Sequence, residues 1–60
     1  MKLKILIVED EVLVAEDLAG FFEESGFHVC GIAISAEECF ALMEKETPDI
    51  VILDIFLKGS

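Results

Sequence analysis

Sixty residues bound the chain to one small domain, and a domain of that size buries only about 60% of the surface its unfolded form exposes. With 55% hydrophobic residues and a single Pro, the composition lies outside the disordered class. Thirteen acidic residues against four Lys and Arg leave a formal net charge of −9, which disfavours nucleic acid and anionic lipid and favours cations and basic partner surfaces.

The opening MKLKILIV sets two lysines before an apolar stretch, as a secretory leader does, but the stretch stops at Glu9. No export signal or membrane anchor is expected, since no apolar run approaches the ~20 residues of a span. Cys30 and Cys39 stand in apolar surroundings without CxxC or Cys/His spacing, which reads as buried, reduced thiols. The expected compartment is the cytoplasm.

Ile5 to Val8 is a continuous apolar run between Lys4 and Glu9, short enough to be a buried strand, β1. From Val14 the apolar positions Val14, Leu18, Phe21 and Phe22 recur at helical spacing, with Glu16, Asp17, Glu23 and Glu24 on the far side. This predicts helix α1, ended by Ser25-Gly26 with glycine as the left-handed residue. Phe27 to Ile34 predicts β2, weakened by Gly31. Ser35-Ala36-Glu37-Glu38 has the form of a capping box. Ala36, Cys39, Phe40 and Met43 then carry α2 to about Glu46, where Thr47-Pro48-Asp49 stops it. Ile50 to Leu53 predicts β3, and Lys58-Gly59-Ser60 begins a loop. Strand, helix, strand, helix, strand with short connections is the pattern of right-handed crossovers onto a parallel sheet covered on both faces.

Within IVILDIFL, residues 50 to 57, Asp54 is the only ionisable side chain. A carboxylate is costly in so apolar a run unless it is paired, hydrated or metal-bound. Glu9 and Asp10 close β1 and Asp54 closes β3, so all three lie at the edge where parallel sheets bind ligands. If β1 lies between β2 and β3, then β1 and β3 are about 4.8 Å apart and the three carboxylates converge. Like charges so close raise one another's pKa, and a divalent cation holds them ionised together. An all-oxygen donor set with room for water points to Mg²⁺. Such an ion polarises a phosphoryl group and lets an aspartate attack phosphorus, which makes Asp54 a candidate nucleophile.

Each piece has a plainer reading. Glu9-Asp10-Glu11 on its own suits a helix N-terminus, where acids are favoured by the dipole, and Asp54 on its own suits a strand-end turn. Their arrival at one sheet edge is what separates the site from these. His28, beside Phe27 at the start of β2, has no partner in sequence and falls at the opposite edge, with a surface role.

ILIVEDE and TPDIVILDIFLKG resemble the first half of a receiver domain from bacterial two-component response regulators, and the resemblance runs the whole length of the chain. It implies an α/β, flavodoxin-like doubly wound parallel sheet, here truncated to β1-α1-β2-α2-β3 in strand order 2-1-3 and lacking β4 and β5. Residues 1–60 are then a partial receiver domain. By the same resemblance Asp54 matches the phosphoacceptor, Glu9 and Asp10 match the acidic pair that organises Mg²⁺, and Phe56 matches the position whose backbone carbonyl completes the protein ligands. A histidine kinase is the implied phosphate donor. Receivers assist their own phosphorylation and dephosphorylation, so no stand-alone enzyme is implied.

Lys58 stands where many members of that family carry proline. The family's Ser or Thr after β4 and Lys after β5 have no counterpart in these sixty residues, so impaired phosphotransfer is expected. β3 is expected to expose an apolar edge and to self-associate, most simply as a two-fold dimer in the order 2-1-3-3′-1′-2′.

Three other readings compete with this one. A phosphohydrolase resembling the haloacid dehalogenase group would carry DxD after its first strand, where this chain has Glu9-Asp10-Glu11. A nucleotide-binding flavodoxin-like reading fails because Gly20, Gly26, Gly31 and Gly59 never cluster. A non-catalytic interaction module remains the alternative.

Overall fold

The computed structural model describes residues 2–53. They form β1 (Lys4–Val8), α1 (Val12–Glu24), β2 (His28–Ala33), α2 (Ala36–Glu46) and β3 (Ile50–Leu53). The strands make one parallel sheet in the order β2-β1-β3, the first three strands of a flavodoxin-like arrangement. Among the described residues, no helix is long and apolar enough to cross a membrane.

The central strand explains why the run from Ile5 to Val8 does not alternate. Ile5 and Ile7 face one side, packed with Ala15, Leu18, Ala19 and Phe22 of α1. Leu6 and Val8 face the other, packed with Cys39 and Leu42 of α2. A strand covered on both faces is apolar at every position.

Helix α1 ends in a Schellman motif. Gly26 takes φ +99°, its N–H donates to Glu23 O at 3.1 Å, and the Phe27 N–H donates to Phe22 O at 3.0 Å. The rings of Phe22 and Phe27 then meet edge to face at 5.9 Å, the apolar contact that accompanies the motif. The helix begins at Val12, two residues before the expected Val14.

Two helix faces differ from the sequence reading. Phe21 is 62% exposed, and the inward stripe is made of Ala15 and Ala19 together with the expected Leu18 and Phe22. In α2, Phe40 is 67% exposed and Met43 is exposed, while Cys39 and Leu42 face the sheet. Adjacent apolar residues on a helix are about 100° apart. Which of them turns inward is set by the sheet beneath and not by the spacing.

The capping box at the start of α2 forms with one change of partner. Ser35 Oγ accepts from the Glu38 N–H at 3.2 Å, and Glu38 Oε1 accepts from the N–H of Ile34 at 2.9 Å, one residue before the cap. At the other end Thr47 takes φ 47° and ψ 63° and donates its N–H to Met43 O at 3.0 Å.

The glycine in β2 marks a bulge. Val29 pairs with Ile5 and Gly31 with Leu6, so Cys30 is an extra residue without a cross-strand partner. Cys30 packs on the α2 side, and a Cβ at Gly31 would meet Leu42 Cδ1 at 3.3 Å and Leu6 Cδ1 at 3.5 Å, on that same side. Two successive residues facing α2 restore Ile32 to the α1 side. Both cysteines are free thiols, Cys39 buried as expected and Cys30 only half-buried.

Candidate metal centre

Glu9 is the first residue beyond β1, and its N–H donates to Ala33 O at 2.9 Å, which continues the ladder by one rung. The ladder therefore fixes its backbone at the C-terminal edge of the sheet. Its side chain is 2% exposed, yet it carries a carboxylate. Glu9 Oε1 accepts from the Glu11 N–H at 3.0 Å, just ahead of α1, where the helix dipole favours negative charge.

Asp10 and Glu11 are exposed, and Glu11, the N-cap residue, makes no side-chain cap to its helix. The first turn of α1, Val12-Leu13-Val14, carries no acid. Helix capping thus accounts for one oxygen of Glu9 and for no side-chain oxygen of Glu11. One carboxylate oxygen from each of Glu9, Asp10 and Glu11 falls within a mutual 4.8 Å. This is a hard, oxygen-only donor set of the kind that suits Mg²⁺ or Ca²⁺. Glu11, which the sequence reading left with the helix terminus, joins the group; the consecutive acids EDE are the signal that contained it.

Asp54 and Phe56 lie outside the described residues. Leu53, the last residue of β3, pairs with Val8, and Val8 directly precedes Glu9. The chain therefore leaves β3 at the edge of the sheet that holds the acidic group.

His28 lies at the other end of the sheet, opposite Lys4 in the β1–β2 register, as expected. It does have a partner, since Nδ1 is 3.8 Å from Glu23 Oε2, and the same oxygen accepts from the Val29 N–H at 2.9 Å. Glu23 ties the end of α1 to the start of β2, an exposed contact worth little energetically.

Comparison with known proteins agrees with this geometry. The family model of the response regulator receiver domain matches residues 5–60. A protein-glutamate methylesterase/protein-glutamine glutaminase 2 of Paramagnetospirillum magneticum is 41% identical over 59 residues, covering 97% of this chain and 17% of the relative. The transcriptional regulatory protein PdtaR of Mycobacterium tuberculosis is 40% identical over 52 residues, covering 87% of this chain and 25% of the relative. The crystal structure of the response regulator PhyR from Brucella abortus superimposes with a TM-score of 0.87 at 41% identity, over 100% of this chain and 25% of that one. The chain thus spans a quarter or less of each of these relatives. On the family match, the shared fold and the acids gathered at the end of β1, the chain belongs to the response regulator receiver domain family.

Proposed function

We propose that residues 1–60 are the first part of a phosphoacceptor receiver in two-component signalling, in which Asp54 takes a phosphoryl group from a histidine kinase. In this reading Glu9, Asp10, Asp54 and the backbone carbonyl of Phe56 hold Mg²⁺. The observation that carries it is the buried Glu9 carboxylate beside two exposed ones, all at the sheet edge toward which β3 runs.

A carboxylate oxygen of Asp54 forms the new bond to phosphorus as the P–N bond to the kinase histidine breaks, and the bonding pair leaves with the imidazole nitrogen. Mg²⁺, when bound, neutralises phosphoryl oxygens and offsets the repulsion between the acids. Glu9, held by the Glu11 N–H, presents its charge from a fixed position. Asp10, exposed to water, would adapt its side chain to a bound ion.

The test is the intact mass of a complete receiver carrying these residues after incubation with a small phosphodonor and Mg²⁺. Gain of one phosphoryl group, abolished by Asp54→Asn, is expected. An unphosphorylated wild-type protein, or undiminished labelling of Asp54→Asn, overturns the reading.

The alternative, an interaction module that self-associates, is favoured by the apolar surface. Leu53 on β3 is 59% exposed, and among the described residues β3 is paired on one side only. A second copy pairing antiparallel along that edge would bury it. The net charge of −9 on each copy opposes this, but is screened over about 8 Å at ordinary salt. Sedimentation at micromolar concentration decides between a dimer and a folded monomer, and the monomer ends this alternative.

A further inference from the structure

β3 is Ile50-Val51-Ile52-Leu53, and no position in it is polar. Strand register is ordinarily set by which side chains must face the core, because a slip of one residue exchanges the two faces. Here the exchange would replace apolar by apolar on both faces, so the strand cannot specify its own register. Among the described elements, the β3 backbone runs beside β1 alone.

The register is fixed at the foot of the strand. Asp49 donates its backbone N–H to Lys4 O at 2.9 Å, and its carboxylate Oδ2 accepts from the Lys4 N–H at 2.7 Å. Lys4 Nζ also donates to the Glu46 carbonyl at the end of α2, which anchors the connection leading into β3. Lys4 opposite Asp49 continues the rungs Ile5–Ile50, Leu6–Val51, Ile7–Ile52 and Val8–Leu53.

Neither neighbour of Asp49 can replace it. A slip in one direction brings Pro48 opposite Lys4, and proline has no N–H for the Lys4 carbonyl. A slip in the other direction brings Ile50, whose side chain offers no acceptor to the Lys4 N–H.

We propose that Asp49, through its paired hydrogen bonds to Lys4 and with Pro48 beside it, is a positioning residue that sets how far β3 emerges beside Glu9. This rests on the reading of Asp54 as phosphoacceptor, because residue 54 follows Leu53 directly. A slip of one residue moves the emerging chain by roughly 3.3 Å and turns each side chain to the other face. Displacement on that scale costs on the order of a hundredfold in a positioned reaction.

The experiment compares wild type, Asp49→Ala and Asp49→Asn by NMR in this chain and, in a complete receiver carrying these residues, by phosphorylation with a small phosphodonor and Mg²⁺. In wild type the Lys4 amide should be protected from hydrogen exchange like the amides of Ile5 to Val8, and exchange as fast as at exposed Leu3 overturns the lock without any variant. Asp49→Ala should weaken the cross-strand contact between Val8 and Leu53 and lower the rate at saturating donor by roughly tenfold or more. Asp49→Asn, which keeps an oxygen acceptor, should restore the rate to within about threefold, whereas a general loss of folding would not respond to that choice. A folded Asp49→Ala with native rungs and the wild-type rate overturns the inference and leaves the Asp54 reading standing. A wild-type protein that takes no phosphate overturns the Asp54 reading and the positioning role built on it, while amide protection and cross-strand contacts still decide the lock.

Discussion

Glu9 Oε1 accepts the backbone N–H of Glu11 at 3.0 Å, which joins a nearly buried carboxylate at the end of β1 to the residue that opens α1. The bond does two jobs. It satisfies one oxygen of a group that would be costly to bury unpaired, and it aims the charge at the sheet edge where Asp10 and Glu11 also lie. A buried, hydrogen-bonded acid thus stands beside two exposed ones.

Glu9→Gln separates these jobs. The amide oxygen still accepts from Glu11 N–H, so the fold should survive with a loss of no more than about 1 kcal/mol. Removing the charge should weaken Mg²⁺ binding by roughly tenfold or more, since affinity in such sites follows ligand charge. Titration with Mg²⁺ by calorimetry, beside urea unfolding of both proteins, measures the two effects, and unchanged affinity would remove Glu9 from the ion's ligands.

Thr47 is a β-branched residue at φ 47°, a region where a Cβ costs ~1–2 kcal/mol. Thr47→Gly relieves that cost, partly offset by ~0.5–1 kcal/mol of added unfolded-state entropy and by loss of the Oγ1 hydrogen bond to Glu46 O at 2.7 Å. The net expectation is a gain of about 0.5 kcal/mol, read as a higher urea midpoint with an unchanged slope. A lower midpoint would mean that the hydroxyl contact outweighs the strain.

Burial pushes the Cys30 thiol above its ordinary value of 9.0, against a smaller opposing effect of Lys4. The folded protein therefore holds this proton more tightly than the unfolded chain does. Its contribution to stability is fully present below the ordinary thiol value and is lost as the pH rises through the higher folded value. In a Cys39→Ala background, alkylation of Cys30 near neutral pH should be slower than that of a free thiol, and stability should begin to fall only above pH 9.0. Faster alkylation than the free thiol would contradict the burial.

The order of the five elements, the boundaries of β3, the capped start of α2 and the glycine end of α1 are legible in the amino-acid order alone. Each depends on residues within a few positions of one another: an apolar run between polar ends, Ser35 three residues before Glu38, Gly26 just past the helix. Placing β1 between the other two strands required the family resemblance, since uniformly apolar strands do not state their neighbours. The acids of Glu9-Asp10-Glu11 were legible as a group, but their division into one buried and two exposed was not.

Which apolar residues face inward depends on packing between distant elements. Phe21, Phe40 and Met43 share helical spacing with residues that are covered, yet they are exposed, because a helix face becomes interior only where the sheet lies beneath it. The Cys30 bulge and the pairing of Asp49 with Lys4 are likewise set by contacts between distant parts of the chain. Periodicity is a property of the local backbone, whereas direction and register are properties of the packed sheet.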